Sequence, residues 1–476
     1  MGGLNIQESW QIVEERSIKT HADDEDFLSY ARGIWRRPNS VILLSGGSHD
    51  AAGYSIACWN PGVVYEAKNS SATITVGSNR ELVTGNAVTL FDKLIQRFRA
   101  GYELQKDLPF MGGGVGFIAY ETKNYIELLP QKAMDDICLP DMCLIWPLDI
   151  LIHNRKKGLI SYIRLQYNGI YSPGPEAIRS VRERPVDLSV GRLTSNFSRN
   201  NYIRAVRKIL EYIRDGHVYQ VNLSQRFSAP IMCNPFELWV RLYKRNPAPF
   251  YAFVNGGKFQ ILCTSMERFL YMREGIIETR PIKGTRPRGK TLEEDKAKYM
   301  ELLNSSKDDA ELSMIVDLLR NDLGKICKIG TVSVDEHKRI EEYQNVFHLV
   351  SIIRGKVRGG ITYGDIIRAT FPGGSITGCP KIRSMEIIDE LEPHVRHVYT
   401  GSIGYWGLHG NIDLNIAIRT MIIANNMAYL SVGGGIVYDS DPVLEYEETI
   451  HKGRTFFEVL ESLEDRGSLK KECVQR

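Results

Sequence analysis

Residues 279–289 read Thr-Arg-Pro-Ile-Lys-Gly-Thr-Arg-Pro-Arg-Gly and set one amine, Lys283, among Arg280, Arg286 and Arg288. The prolines fix φ and remove backbone donors, and the glycine after the lysine permits a tight bend. Nearby cations disfavour an ammonium, so a lysine held there loses its proton more readily and can become a nucleophile. The same residues also fit a basic surface loop that touches an anion. Glu267 lies sixteen positions earlier, and two strands joined by a hairpin would set it beside Lys283. Near the C-terminus Glu445 and Glu448 stand at i and i+3, with Lys452 one turn further. On a helix that stripe can hold a hard cation together with an organic carboxylate. It can equally be a surface ion pair, Glu448–Lys452, worth ~0.2–0.5 kcal/mol. Asp308 and Glu311, one turn apart on another helical stretch, leave the same choice between a metal and solvent.

These residues need elements to position them. Residues 259–263 read as a strand running into Thr264-Ser265-Met266-Glu267-Arg268. Residues 305–322 read as a helix, with Ser305 and Asp308 at its start, Leu312, Ile315 and Leu319 on its apolar face and Gly324 at its end. Residues 218–227 alternate, and Gln220, Asn222 and Ser224 share a face that lines a polar cavity or meets solvent. Residues 371–381 form a glycine-rich loop ahead of a helix at 382–391. Strands at 401–408, 412–423 and 427–432 make a meander, with Arg419 on the polar face of the middle one. Gly433-Gly434-Gly435 then lets a backbone approach something closely. Asp441-Pro442 opens the last helix, and Tyr446, Ile450, Phe457 and Leu460 are its apolar stripe. In the first half, strands at 41–44, 54–59, 63–67, 73–76, 142–153 and 159–165 flank a helix at 88–98, after a polar, partly helical start. Residues 172–200, rich in proline and charge, read as a linker or long crossover.

The 476 residues carry 60 Lys+Arg against 57 Asp+Glu, a net charge of +3. That balance points to neither nucleic acid nor a membrane surface as the main partner. The eight cysteines show no Cys-x-x-Cys spacing, which fits a reducing cytoplasm better than a disulfide framework. The first residues lack the apolar core of a signal peptide, and no apolar run reaches the ~18 residues of a membrane span.

The motifs VYQVNLSQ (218–225), SMERFL (265–270), RPIKGTRPRG (280–289), AELSMIVDLLRNDLG (310–324), FHLVS (347–351) and FPGGSITGCPK (371–381) follow one another in order, and residues 433–452 complete the series. Together they resemble the chorismate-utilising enzymes over residues 195–464. The first half is similar more weakly, through LLSGG, GYSIACWNP and GGGVGFIAYE. The resemblance implies an α+β fold of two antiparallel sheets packed face to face with helices outside. It divides the chain into an N-terminal region, 1–190, a chorismate-binding catalytic region, 195–464, and a charged tail, 465–476, with the two halves interleaved.

The resemblance also implies roles. Glu311 and Glu448, with Glu445 nearby or acting through water, would hold Mg²⁺. Lys283 would be the nucleophile and Glu267 the general acid. Arg419, Tyr399, Thr377 and the backbones of Gly433 and Gly435 would take the enolpyruvyl carboxylate, and Lys452 the ring carboxylate. His348 would sit beside the ring, or be a buried structural histidine. Gln220 stands where water-adding members carry a lysine base, which implies an ammonia-using member. Lys283 stands where anthranilate-forming members carry alanine. It marks the aminodeoxychorismate-forming branch, which serves p-aminobenzoate and folate synthesis. Anthranilate formation, or a silent chorismate- or tryptophan-binding regulatory subunit, are the alternatives. The chain shows no glutaminase motif, so a glutamine amidotransferase subunit is the implied partner. In relatives, segments corresponding to LLSGG and to 246–251 line a tryptophan pocket. Met266 and Cys379 depart from the family's usual Ser-Pro-Glu-Arg and Gly-Ala-Pro-Lys.

Overall fold

The computed structural model describes residues 8–174, 179–183 and 189–474. The first half contributes β1 (Glu8–Thr20), α1 (Asp24–Ile34), β2 (Ser40–Leu44), β3 (Tyr54–Lys68), α2 (Ala87–Arg97), β4 (Gly113–Ile118), β5 (Met142–Asn154) and β6 (Leu159–Tyr167). The second contributes α3 (Arg199–Arg214), β7 (Gln220–Met232), α4 (Pro235–Arg245), β8 (Phe250–Asn255), β9 (Phe259–Ser265), β10 (Arg268–Arg273), β11 (Ile276–Arg280) and β12 (Ile282–Pro287). It continues with α5 (Ser306–Gly324), β13 (Ser333–Glu342), β14 (Val346–Lys356), α6 (Lys381–Leu391), β15 (Ser402–Gly407), β16 (Ile412–Asn415), β17 (Thr420–Ala424), β18 (Met427–Ile436) and α7 (Pro442–Val474).

The helix starts follow from their caps. Ser198 accepts from Asn201 N, Ser305 from Asp308 N, and Asp441 from both Val443 N and Leu444 N. The strands form two antiparallel sheets that share β5. One runs β5–β3–β2–β8–β9–β17–β18–β7. The other runs β5–β4–β15–β16–β10–β11–β14, with β12 and β13 also paired to β14. A common core takes Ile56, Cys58, Ile261 and Cys263 from the first sheet and Val115, Leu270, Leu349 and Leu414 from the second. A second core packs α1 and α4 onto the first sheet through Phe27, Leu28, Phe236 and Trp239. Among the described residues, strands of the two halves are neighbours at β2–β8 and β4–β15.

Two expectations change. Residues 54–67 form one strand rather than two; Pro61 sits at a register shift against β5, where a missing N–H costs no ladder bond. The middle strand expected at 412–423 is broken into β16 and β17, which lie in different sheets. Between them Ile416 N donates to Glu267 O, Ala417 N to Gly401 O, and Arg419 turns to φ 50°. The polar start is β1 followed by α1, helical in part as expected. Within the expected linker, residues 175–178 and 184–188 lie outside the described residues, as do residues 1–7 and 475–476 at the ends.

Candidate active site

Lys283 lies on β12, where the register against β14 slips between Lys283 and Thr285 and Gly284 takes φ 74°. This bulge re-aims the lysine. A Cβ built at Gly435 would stand 3.0 Å from the Gln220 amide nitrogen and 3.3 Å from Lys283 Nζ, so both groups converge over bare backbone. Burial is the main cause that pushes the Lys283 amine below its usual range; Lys452 adds to it, while Glu311 and Glu267 oppose it. The three arginines that flank it in sequence face elsewhere. Arg280 pairs with Glu278 at 2.6 Å and Asp50 at 2.9 Å, Arg286 with Glu301 at 2.6 Å and Asp308 at 2.9 Å, and Arg288 with Asp295 at 2.6 Å. The expectation that they depress Lys283 is therefore corrected: each is held by carboxylate partners of its own.

Glu267 follows β9 and is buried. Its Oε1 accepts from Ser375 Oγ at 2.6 Å. Burial raises it to about 7 against the opposing pull of Ser375, Lys283 and Lys452. Ser375 belongs to the glycine-rich loop, and no residue-type pattern singles it out as the partner of this acid.

The three expected carboxylates come from two helices, Glu311 from α5 and Glu445 and Glu448 from α7. A Cβ at Gly434 would lie 3.3 Å from Glu445 Oε2 and 3.4 Å from Glu448 Oε1. Glu445 Oε1 accepts from Ser440 at 2.6 Å, and its Oε2 is buried without a partner among the described residues. Burial raises both Glu311 and Glu445 above the usual carboxylate range. Lys452, 2.7 Å from Glu448, lowers that carboxyl and also donates to Gly433 O at 2.9 Å. Lys307, which the sequence reading passed over, acts on all three carboxylates. Glu445 and Glu448 bring hard oxygen donors together over a glycine cradle, which suits a small divalent cation; Glu311 does not close with them into a group of three ligand atoms within 4.8 Å of one another.

Arg419 forms no ion pair among the described residues, and burial lowers its guanidinium. A desolvated cation without a counter-charge is a seat for an anion. His348 is held neutral, at about 3, by burial and by Arg419. Its Nε2 lies 2.9 Å from Met266 Sδ and its Nδ1 3.0 Å from Thr285 Oγ1. Gln220 is wholly buried, and among the described residues neither of its amide atoms has a partner. Thr377 is wholly buried with its hydroxyl on Gly373 O at 3.0 Å, and Tyr399 is buried near Arg396 and Glu392. No hydrogen bond or ion pair links either to Lys283 or the three carboxylates among the described residues. A separate cavity of about 460 Å³ lies where LLSGG meets residues 249–251, walled on its other side by Arg268, Glu278 and Arg280.

Residues 41–458 match the family described as chorismate binding enzyme. The chain belongs to that family. An aminodeoxychorismate synthase component 1 from Bacillus subtilis (strain 168) is 36% identical over 451 residues, covering 91% of this chain and 94% of the relative. An anthranilate synthase component 1 from Acetivibrio thermocellus is 37% identical over 478 residues, covering 95% and 96%. The crystal structure of anthranilate synthase component I from Streptococcus pneumoniae TIGR4 matches with a TM-score of 0.74 at 33% identity, covering 85% of this chain and 92% of that one. The α+β fold expected from the motifs is thus the family's fold. These chorismate-binding relatives carry two different activities at similar identity. No helix among the described residues is long and apolar enough to cross a membrane.

Proposed function

We propose that the chain is the chorismate-aminating component of an aminodeoxychorismate synthase, making 4-amino-4-deoxychorismate with ammonia from a glutamine amidotransferase subunit. The observation that carries this reading is the Lys283 amine, depressed by burial and set over Gly435 beside Gln220. Lys283 attacks C2 of the ring, and the double bond shifts as the C4 hydroxyl departs. Hydroxide is a poor leaving group, and Glu267, at about 7, donates the proton that lets it go as water. Ammonia then adds at C4, the double bond returns, and the lysine is expelled from C2 as a free amine. Covalent capture thus splits one hard substitution into two easier ones. Arg419 binds the enolpyruvyl carboxylate through its planar fork. Glu311, Glu445 and Glu448 would hold Mg²⁺, which supplies Lewis-acid polarisation of the ring carboxylate when bound. Lys452 neutralises the same end of the substrate.

The test incubates the purified chain with chorismate, Mg²⁺ and ammonium and identifies products by mass spectrometry. An amino-substituted product that keeps its enolpyruvyl group is expected. Anthranilate plus pyruvate is the second reading, favoured by the 37% identity to an anthranilate synthase component 1; that product would refute the role given to Lys283 in product choice.

A further inference from the structure

Glu267 takes a side-chain hydrogen bond on one oxygen, and the Ile282 N–H also acts on its carboxyl. Ser375 Oγ donates to its Oε1 at 2.6 Å, across 108 residues of sequence. The hydroxyl is borne by a segment that is fixed on several sides. At the near end, Phe371 N donates to Ile367 O. At the far end, Lys381 Nζ reaches Asp322 on α5 at 2.5 Å and Thr370 O at 3.1 Å. Between them the backbone is packed tightly: a Cβ at Gly373 would lie 2.7 Å from the Ile416 side chain, and one at Gly374 2.6 Å from Leu318. Ser375 itself is half-buried. It is thus a rigidly mounted donor aimed at one oxygen of a buried acid.

We propose that Ser375 is a positioning residue for Glu267: by occupying Oε1 it leaves Oε2 to carry the transferable proton, and it ties the acid to the glycine-rich loop. The inference rests on the general-acid reading of Glu267 given above. An oxygen that accepts a short hydrogen bond is the less basic one, so the proton resides on the other. Once that proton is given up, the bond from Ser375 becomes charge-assisted and stabilises the carboxylate. The other groups acting on this carboxyl are Lys283 on β12, the neighbouring Ile282 N–H, and Lys452 on α7. All three favour the charged form as well, and none belongs to the loop.

The test compares Ser375→Ala and Ser375→Thr in chorismate turnover across pH, with the Glu267 carboxyl titrated in parallel by difference infrared spectroscopy against Glu267→Gln. For Ser375→Ala, kcat should fall about tenfold with KM for chorismate within twofold. The alkaline limb of kcat should move to higher pH, because removing a donor to the carboxylate makes the acid harder to deprotonate. Ser375→Thr keeps the donor and should restore both. An unchanged kcat and limb in Ser375→Ala would overturn the proposal, and so would a raised KM at unchanged kcat, which would make Ser375 a substrate contact. The infrared titration needs no turnover. If the chain fails to convert chorismate, the functional reading falls, yet the carboxyl must still titrate higher in Ser375→Ala; if it does not, the positioning role falls on its own.

Discussion

At the scale of single residues, Lys283 shows how much side-chain chemistry depends on what lies across the fold. Its type and the bend after it are visible in the sequence, and so is Glu267 sixteen positions before it. The cause of its weakened basicity is not. Three arginines within five residues look decisive, yet each is consumed by its own carboxylate, and the cation that acts on Lys283 is Lys452, 169 residues away. Met266 illustrates the same gap: it reads as a departure in a turn, and the structure sets its Sδ 2.9 Å from His348 Nε2. A neutral Lys283 and a protonated Glu267 together define the active form. Activity is therefore expected to fall as pH drops, when the amine takes up a proton. It should fall again as pH rises past about 7, when Glu267 loses its own. Lys283→Ala should lower kcat about 100-fold or more, and Lys283→Arg should fail equally, because a guanidinium stays protonated. Steady-state kinetics of both variants, with pH profiles of the native chain, check this; substantial turnover by Lys283→Arg would rule out amine attack.

At the scale of elements, caps and periodicity were legible while breaks were not. The helices beginning after Ser198, Ser305 and Asp441 start where their cap residues require. The break between β16 and β17 is hidden because Ile416 and Ile418 keep the apolar phase of Ile412 and Leu414 straight through it. What bends the chain there is distant: Ser265 Oγ donates to Ile416 O at 2.6 Å, and Thr264 N donates to Arg419 O at 3.0 Å. That bend is also what gives Arg419 its positive φ. The glycine run at the end of β18 was readable as a close approach, and its geometry now separates two tasks. Gly435 serves Lys283 and Gln220, whereas Gly434 serves Glu445 and Glu448. Gly434→Ala places a methyl against both carboxylates without backbone strain, since its φ lies outside the left-handed region. It should weaken Mg²⁺ binding about tenfold, read by calorimetric titration of the chain with Mg²⁺ alone, while the far-UV circular dichroism spectrum stays native. Unchanged Mg²⁺ affinity would remove the α7 carboxylates from the proposed cation site.

At the scale of the whole molecule, motif density drops before residue 195, and the pairing order interleaves the two halves as the resemblance implied. β8 of the second half has β2 of the first as one neighbour, through five registered pairs, and β15 has β4, through six. The common core draws on both halves as well, with Val115 and Trp146 alongside Leu349 and Trp406. Such non-local pairing cannot be inferred from alternation, which reports which face of a strand is buried and nothing about the strand beside it. Removing residues 8–190 would bare the edges of β8 and β15 together with apolar faces of the core, and bare strand edges pair with other chains. The chain is accordingly expected to unfold in one cooperative transition. Trp10, Trp59 and Trp146 report on the first half and Trp239 and Trp406 on the second, and all five are buried. Tryptophan-to-phenylalanine variants that leave reporters in only one half should give the same denaturant midpoint by fluorescence as by far-UV circular dichroism. Two separated midpoints, or a soluble and folded fragment of residues 195–464, would show that each half holds its own sheet without the other.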